Sequence, residues 1–326
     1  MGATIQNEGL QSANPARMVL AYLRLTKPGI SIFIGFTSAT AVLFQNNFAM
    51  LTWYGQLTIF LSSYLSSAGS AVFNHYFESD LDRLMSRTKN RPFPEGIIND
   101  RSAILLSAVL VALGLGIATY FHGLFTAGYL AAGSFSYILL YTVISKRRTV
   151  WNIPIGGLCG MFAALAGATS TTGSISLSGI AFAAILYLWS SPHFWSLAIV
   201  RAEDYRKSGI PMLPVVYGNY KTALAILTHT LALPPMAIIF YADYRIAAMI
   251  TLGASVGFVL HSFRLLLAVL KAKRMVDGDK KVGSAELPRD ELRVVEYARQ
   301  TFIFSLIFLP MVYLGFWFDS VYKNMQ

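Results

Sequence analysis

A chain of 326 residues with a mean hydropathy of +0.53, 55% hydrophobic and only 13% charged residues is too apolar for a soluble globular protein, in which about a quarter of residues carry charge. Its one cysteine, Cys159, excludes a disulfide framework, a zinc knuckle and haem attachment through paired cysteines. The net charge of +10 does not imply nucleic acid, because the bases recur at alternate ends of apolar segments, as at a membrane surface.

In chain order, the first sixteen residues are polar, with neither a secretory core nor an Arg-rich transit pattern, and residues 1–20 are expected to form a disordered cytosolic arm. Residues 21–320 are expected to form one domain, since no linker or low-complexity stretch divides them. Crossing the hydrocarbon takes about 20 apolar residues, and on that ruler about nine segments stand out: 29–46, 56–78, 102–121, 124–144, 152–170, 177–200, 220–241, 246–270 and 299–318. The fold expected is therefore an all-α membrane protein. Small residues crowd the second, fourth and fifth segments, as close helix packing in lipid requires. Lys and Arg precede the first segment and follow the second, fourth, sixth and eighth, while the alternate connections are almost free of them. This places the N-terminus and the even-numbered loops in the cytoplasm.

Two stretches break the apolar pattern. The first begins at Asn74, and Asn74, Glu78 and Asp82 stand four apart, hence on one face of a continuous helix. Asp80 points to the other side unless the helix has already ended. Hard oxygen donors followed by Arg87, Lys89 and Arg91 suit Mg²⁺ and a diphosphate. A plainer alternative is a solvated loop with a helix-capping Asp. The second stretch, Glu203-Asp204-Tyr205-Arg206-Lys207, repeats the order of apolar helix, carboxylates, bases and a proline exit at Pro211 and Pro214, which suggests duplication around one site.

On these motifs the chain resembles the UbiA superfamily of intramembrane prenyltransferases and, within it, the protoheme IX farnesyltransferase (haem O synthase) family. Asn74-x-x-x-Glu78-x-x-x-Asp82 is similar to the superfamily's first acidic motif, with Glu78 where Asp is usual. The run from Asp80 through Arg87, Arg91 and Pro92 is similar to the haem branch. So are the Lys146-Arg147-Arg148 link, Trp189-x-x-Pro192-His193-Phe194-Trp195, and Gly209-Ile210-Pro211-Met212-Leu213-Pro214. The resemblance implies a UbiA-type bundle in the cell's inner membrane. It implies transfer of farnesyl from farnesyl diphosphate to a vinyl group of haem b, with Mg²⁺ as cofactor.

The resemblance also implies site residues. Mg²⁺ would be held by Asn74, Glu78, Asp82 and Glu203 or Asp204, with Asp80 the rival of Glu78. The diphosphate would be met by Arg87, Lys89, Arg91, Lys146, Arg147, Arg148, Arg206 and Lys207. His193 stands where quinone-type members carry an acid. It is open to three readings: a ligand of haem iron, a base near the vinyl carbon, or a structural residue bonding a carbonyl freed by Pro192. A downstream haem A synthase is the candidate protein partner. The rival readings are a UbiA-type transferase for a quinone precursor and, in a different class, a transporter. Carriers place their charges near the bilayer midplane, whereas here they sit at helix ends.

Overall fold

A computed structural model describes residues 14–44, 52–86, 88–93, 95–278 and 287–325. Among them every regular element is helical. They are α1 (Pro15–Leu25), α2 (Pro28–Ala41, ending in a 3₁₀ turn over Val42–Phe44), α3 (Trp53–Phe77), α4 (Ser79–Leu84), α5 (Asp100–His122) and α6 (Leu124–Phe135), which runs on as a π-helix over Ser136–Ser145. There follow α7 (Asn152–Thr169), α8 (Leu177–Val200), α9 (Ala202–Lys207), α10 (Leu213–Leu231), α11 (Leu233–Phe240), α12 (Arg245–Gly278) and α13 (Leu287–Asn324). Helix α1 takes up residues 15–20 of the stretch expected as disordered. The Asn14 side chain accepts the Ala16 N–H, and Pro15 supplies the first helical φ. Residues 1–13 lie outside the described residues.

As far as the described residues reach, each of the nine expected segments falls on a helix; residues 45 and 46 of the first lie outside them. Seven stretches among the described residues are long and apolar enough to cross a membrane: α5, α6 with its π continuation, α7, α8, α10 with α11, α12 and α13. An eighth is the pair formed by α1 and α2, bent by 44°. Helix α3 falls short because its inward positions are polar. Ser62, Ser63, Ser66, Ser70, Asn74 and His75 are all buried, so α3 is polar toward protein rather than toward lipid.

The chain packs as two compact units, and the division runs through α7 and α8. In the first, up to Arg147 and again over Leu158–Ala183, α3 packs against α2 and α5. Close approach depends on glycine. A Cβ at Gly167 would lie 2.0 Å from the Ser38 carbonyl oxygen, and one at Gly69 2.7 Å from that of Ser107. Hydroxyls tie the backbones where they touch: Ser38 Oγ donates to Ala163 O at 2.8 Å and Ser107 Oγ to Gly69 O at 2.8 Å.

In the second unit, α12 packs along α13 and against α10 and α11. Asp319 caps α12, taking the N–H groups of Ile246 and Ala247 at 3.2 and 2.6 Å.

Candidate functional site

The first acidic stretch is built by a helix break. α3 ends at Glu78 (φ −100°, ψ 7°), α4 restarts at Ser79, and the chain stays wound tightly enough that the Asp82 N–H still reaches Glu78 O at 2.9 Å. Asn74, Glu78 and Asp82 are each 3% exposed or less. After α4 the chain turns back: Thr88 Oγ1 donates to Asp82 O, while Phe93, Ile97 and Ile98 bury themselves against Leu25, Val72 and Ala103. That anchorage returns Arg91 to Asp82, to which it donates at 2.9 and 2.8 Å, one bond to each carboxylate oxygen.

Glu78 is met from the π segment. Lys146 Nζ donates to its Oε2 at 2.5 Å and lies 5.4 Å from the Tyr141 ring centre. The other oxygen, Oε1, is buried with no hydrogen-bond partner among the described residues. Asn74 accepts from Lys27 Nζ at 2.6 Å and donates to Thr142 Oγ1 at 3.0 Å, which fixes the orientation of its amide. Lys27 also reaches the Tyr137 hydroxyl at 3.3 Å.

The π winding explains why Tyr137, Thr142 and Lys146 converge. From Tyr137 to Lys146 an α-helix would make about two and a half turns, placing them on opposite faces, whereas a π-helix of about 4.4 residues per turn makes close to two. The Lys146 N–H bonds Tyr141 O, five residues back, as this winding demands.

Lys27 sits between α1 and α2 in the left-handed region (φ 45°, ψ 60°), directly before a proline, where such a conformation is doubly disfavoured. Backbone strain of this kind costs about 1–3 kcal/mol and gathers at functional positions. Lys27 and Tyr137 also line a mainly apolar cavity with Ile30, Ile34, Leu130 and Ala163, together with Ser63, Ser66, Ser67 and Ser70.

Asp80 is turned away from this cluster. Its oxygens are taken by Arg147 at 2.7 and 2.8 Å, and the same guanidinium bonds Phe77 O. The hydrogen bonds from Arg147 hold the Asp80 carboxyl below its ordinary value, against a smaller opposing effect of desolvation. The helix break thus does not swing Asp80 inward; Glu78 is the inward carboxylate. Lys89 and Arg148 are exposed, and Arg87 lies outside the described residues.

The second acidic stretch forms α9, with Arg206 at 2.5 Å and Lys207 at 3.7 Å from exposed Glu203 oxygens. Asp204 is half-buried on the same short helix. Gly209 (φ 68°) turns the chain out, and the buried Asn152 donates to Thr149 O and Pro211 O, pinning the exit. His193 does not bond the carbonyl freed by Pro192; its Nδ1 meets Ser305 Oγ at 2.7 Å.

Among the described residues no three His, Cys, Asp or Glu side chains gather as a metal-binding group. The first stretch still fits Mg²⁺. It offers an amide oxygen and two carboxylates, and one buried carboxylate oxygen lacks a partner among the described residues.

Sequence reasoning missed Lys27, Tyr137 and Thr142. The signal for Lys27 was a base fixed before Pro28; for the hydroxyls there was none, because α-helical spacing scatters them.

The profile of the UbiA prenyltransferase family matches residues 32–277. "Protoheme IX farnesyltransferase 1" of Paramagnetospirillum magneticum is 41% identical over 212 residues, covering 65% of this chain and 74% of that protein. The "Protoheme IX farnesyltransferase" of Bartonella quintana is 32% identical over 307 residues, covering 93% and 91%. The solved structure of a UbiA homolog from Archaeoglobus fulgidus bound to GPP and Mg²⁺ superposes with a TM-score of 0.62 at 17% identity, covering 91% of this chain and 99% of that one. The chain belongs to the UbiA prenyltransferase family, on the branch of the protoheme IX farnesyltransferases.

Proposed function

We propose that this prenyltransferase moves the farnesyl group of farnesyl diphosphate onto a vinyl group of haem b, giving haem O. The observation that carries the reading is the buried set of Asn74, Glu78 and Asp82, each held by a base: Lys27, Lys146 and Arg91. Such a set binds a polyanion by exchange. The bases are already desolvated and aimed inward, so incoming diphosphate oxygens take over bonds that the carboxylates now receive.

Asn74, Glu78 and Asp82 are the residues that would hold Mg²⁺, which when bound neutralises charge developing on the departing diphosphate. Lys27, Arg91 and Lys146 meet the same charge directly. The C1–O bond of the farnesyl donor breaks with its electron pair leaving on diphosphate. The vinyl π electrons form the new C–C bond, and water adds to the resulting cation and loses a proton. The mainly apolar cavity beside Lys27 and Tyr137 suits an isoprenoid chain and keeps water from the allylic cation.

Glu203 and Asp204 keep a proposed part as carboxylates of the second stretch. The protein is a multi-pass membrane protein, and we place it in the inner membrane with its N-terminus cytoplasmic, on the distribution of Lys and Arg.

The test is to incubate purified protein with farnesyl diphosphate, Mg²⁺ and haem b and to look for haem O by mass. Product dependent on all three is the expected result; no haem O, with prenylation of an aromatic acid instead, overturns the reading in favour of a quinone-type transferase.

A further inference from the structure

In the second unit one residue of α13 holds two residues of α8. Trp189 and His193 are four apart, on one face of the helix, and both reach Ser305. The Trp189 Nε1–H donates to the Ser305 carbonyl at 2.8 Å, and His193 Nδ1 lies 2.7 Å from Ser305 Oγ.

The direction of the second bond follows from proton counting. A serine hydroxyl has one hydrogen, and that of Ser305 is donated to the Phe302 carbonyl at 2.5 Å. Toward His193 the oxygen can only accept, so Nδ1 carries the ring proton. Among the described residues no carboxylate bonds the ring to favour its cationic form, and the neutral tautomer leaves a lone pair on Nε2.

That nitrogen has no hydrogen-bond partner among the described residues. The ring is packed by three aromatic neighbours. Trp189 lies nearly parallel to it at 4.6 Å and 22°, Phe302 at 4.9 Å and 35°, and Phe194 meets it edge-on at 4.9 Å. An imidazole with its Nδ1–H tied to an oxygen, its plane fixed and its Nε2 lone pair offered is how proteins prepare histidine for a metal. The hydrogen bond of His229, by contrast, goes to the carbonyl of Ala225 on its own helix.

We propose that His193 is the axial ligand of the iron of the haem substrate through Nε2, and that Ser305 is the positioning residue that fixes its tautomer and orientation. The inference rests on the haem reading above. Haem iron takes a neutral imidazole readily, and one fixed bond to iron would hold the porphyrin while its vinyl edge reacts.

The experiment is a titration of the purified full-length protein with ferric haem b, followed by visible absorption and electron paramagnetic resonance. Wild type should show nitrogen coordination. His193→Ala should lose that signature and bind haem at least tenfold more weakly, with added imidazole restoring the spectrum. Ser305→Ala should keep the signature but weaken haem binding several-fold, and Ser305→Thr, which retains the hydroxyl, should restore it. A wild-type spectrum in His193→Ala, or no nitrogen signature in wild type, overturns the assignment.

Haem O formation on the same preparations separates the two readings. Product together with an unchanged spectrum in His193→Ala sinks the ligand and leaves the transfer. No product from wild type with coordination intact sinks the transfer and leaves the ligand.

Discussion

The two acidic stretches share an order of residues and differ in environment. In the first, Glu78 and Asp82 are each 3% exposed and locked to bases that are themselves largely covered. In the second, Glu203 and Arg206 are more than half exposed and pair within one turn of α9. An ion pair in water is worth about 0–1 kcal/mol, whereas removing one partner of a covered pair leaves a stranded charge at a cost of about 3–5 kcal/mol. Composition alone cannot tell a solvated charge cluster from a working one. Burial separates the covered charges of the first stretch from the solvated ones of the second.

The sharpest break of this contrast is chemical. Asp82→Ala and Asn74→Ala should lower turnover by on the order of 10²–10³-fold or more, Asp82→Ala also losing stability because it strands Arg91, whereas Glu203→Ala should cost less. Activity across a Mg²⁺ series for purified variants checks this, and a near-normal Asp82→Ala would reverse the ranking.

Next comes stability. Arg91→Ala should destabilise by about 3–5 kcal/mol and Arg206→Ala by about 0–1 kcal/mol. Thermal melts in the same detergent compare them, and equal shifts would mean that the burial difference has no energetic meaning.

Lys27→Met keeps the length of the side chain but removes its charge. It should weaken farnesyl diphosphate binding by about 1.5–3 kcal/mol, as for a hydrogen bond to a charged group, with haem binding unchanged. Isothermal titration with a non-reactive diphosphate analogue reads this directly; a fall in haem affinity instead would reassign the lysine.

The smallest effect concerns Asp80. Its folded-state pKa is depressed by Arg147, so its contribution is present above the ordinary value of 3.8 and is lost as pH falls through the lower folded value. Asp80→Asn should therefore melt slightly below wild type at neutral pH and converge with it in acid. Its turnover should stay closer to normal than that of Glu78→Ala, because Glu78 faces inward and Asp80 does not.

Much of this was legible in the sequence. As far as the described residues reach, the nine apolar segments all fall on helices, because hydrocarbon length and backbone satisfaction leave little choice. The spacing of Asn74, Glu78 and Asp82 foretold their shared burial even though the helix breaks at Glu78. What stayed hidden depended on geometry that periodicity does not carry. The left-handed turn at Lys27 redirects a base that otherwise looks like one more cytoplasmic flank. The contact of Arg91 Nη1 with both Asp82 oxygens exists because Phe93, Ile97 and Ile98 anchor a loop that has no regular pattern. The serine face of α3 lowers its hydropathy, so a helix central to its unit falls short of the apolarity that marks the other spans.

The wide winding over Ser136–Ser145 has a consequence for how this part of the chain tolerates insertions and deletions. A residue removed from an α-helix that carries nothing downstream shifts a surface; a residue removed here would re-phase Lys146 against Tyr137 and uncouple Glu78 from its base without touching an acid or a base. Length, rather than side-chain identity, is then the guarded quantity. Substitutions in this segment should be absorbed more readily than any change in the number of residues between Tyr137 and Lys146.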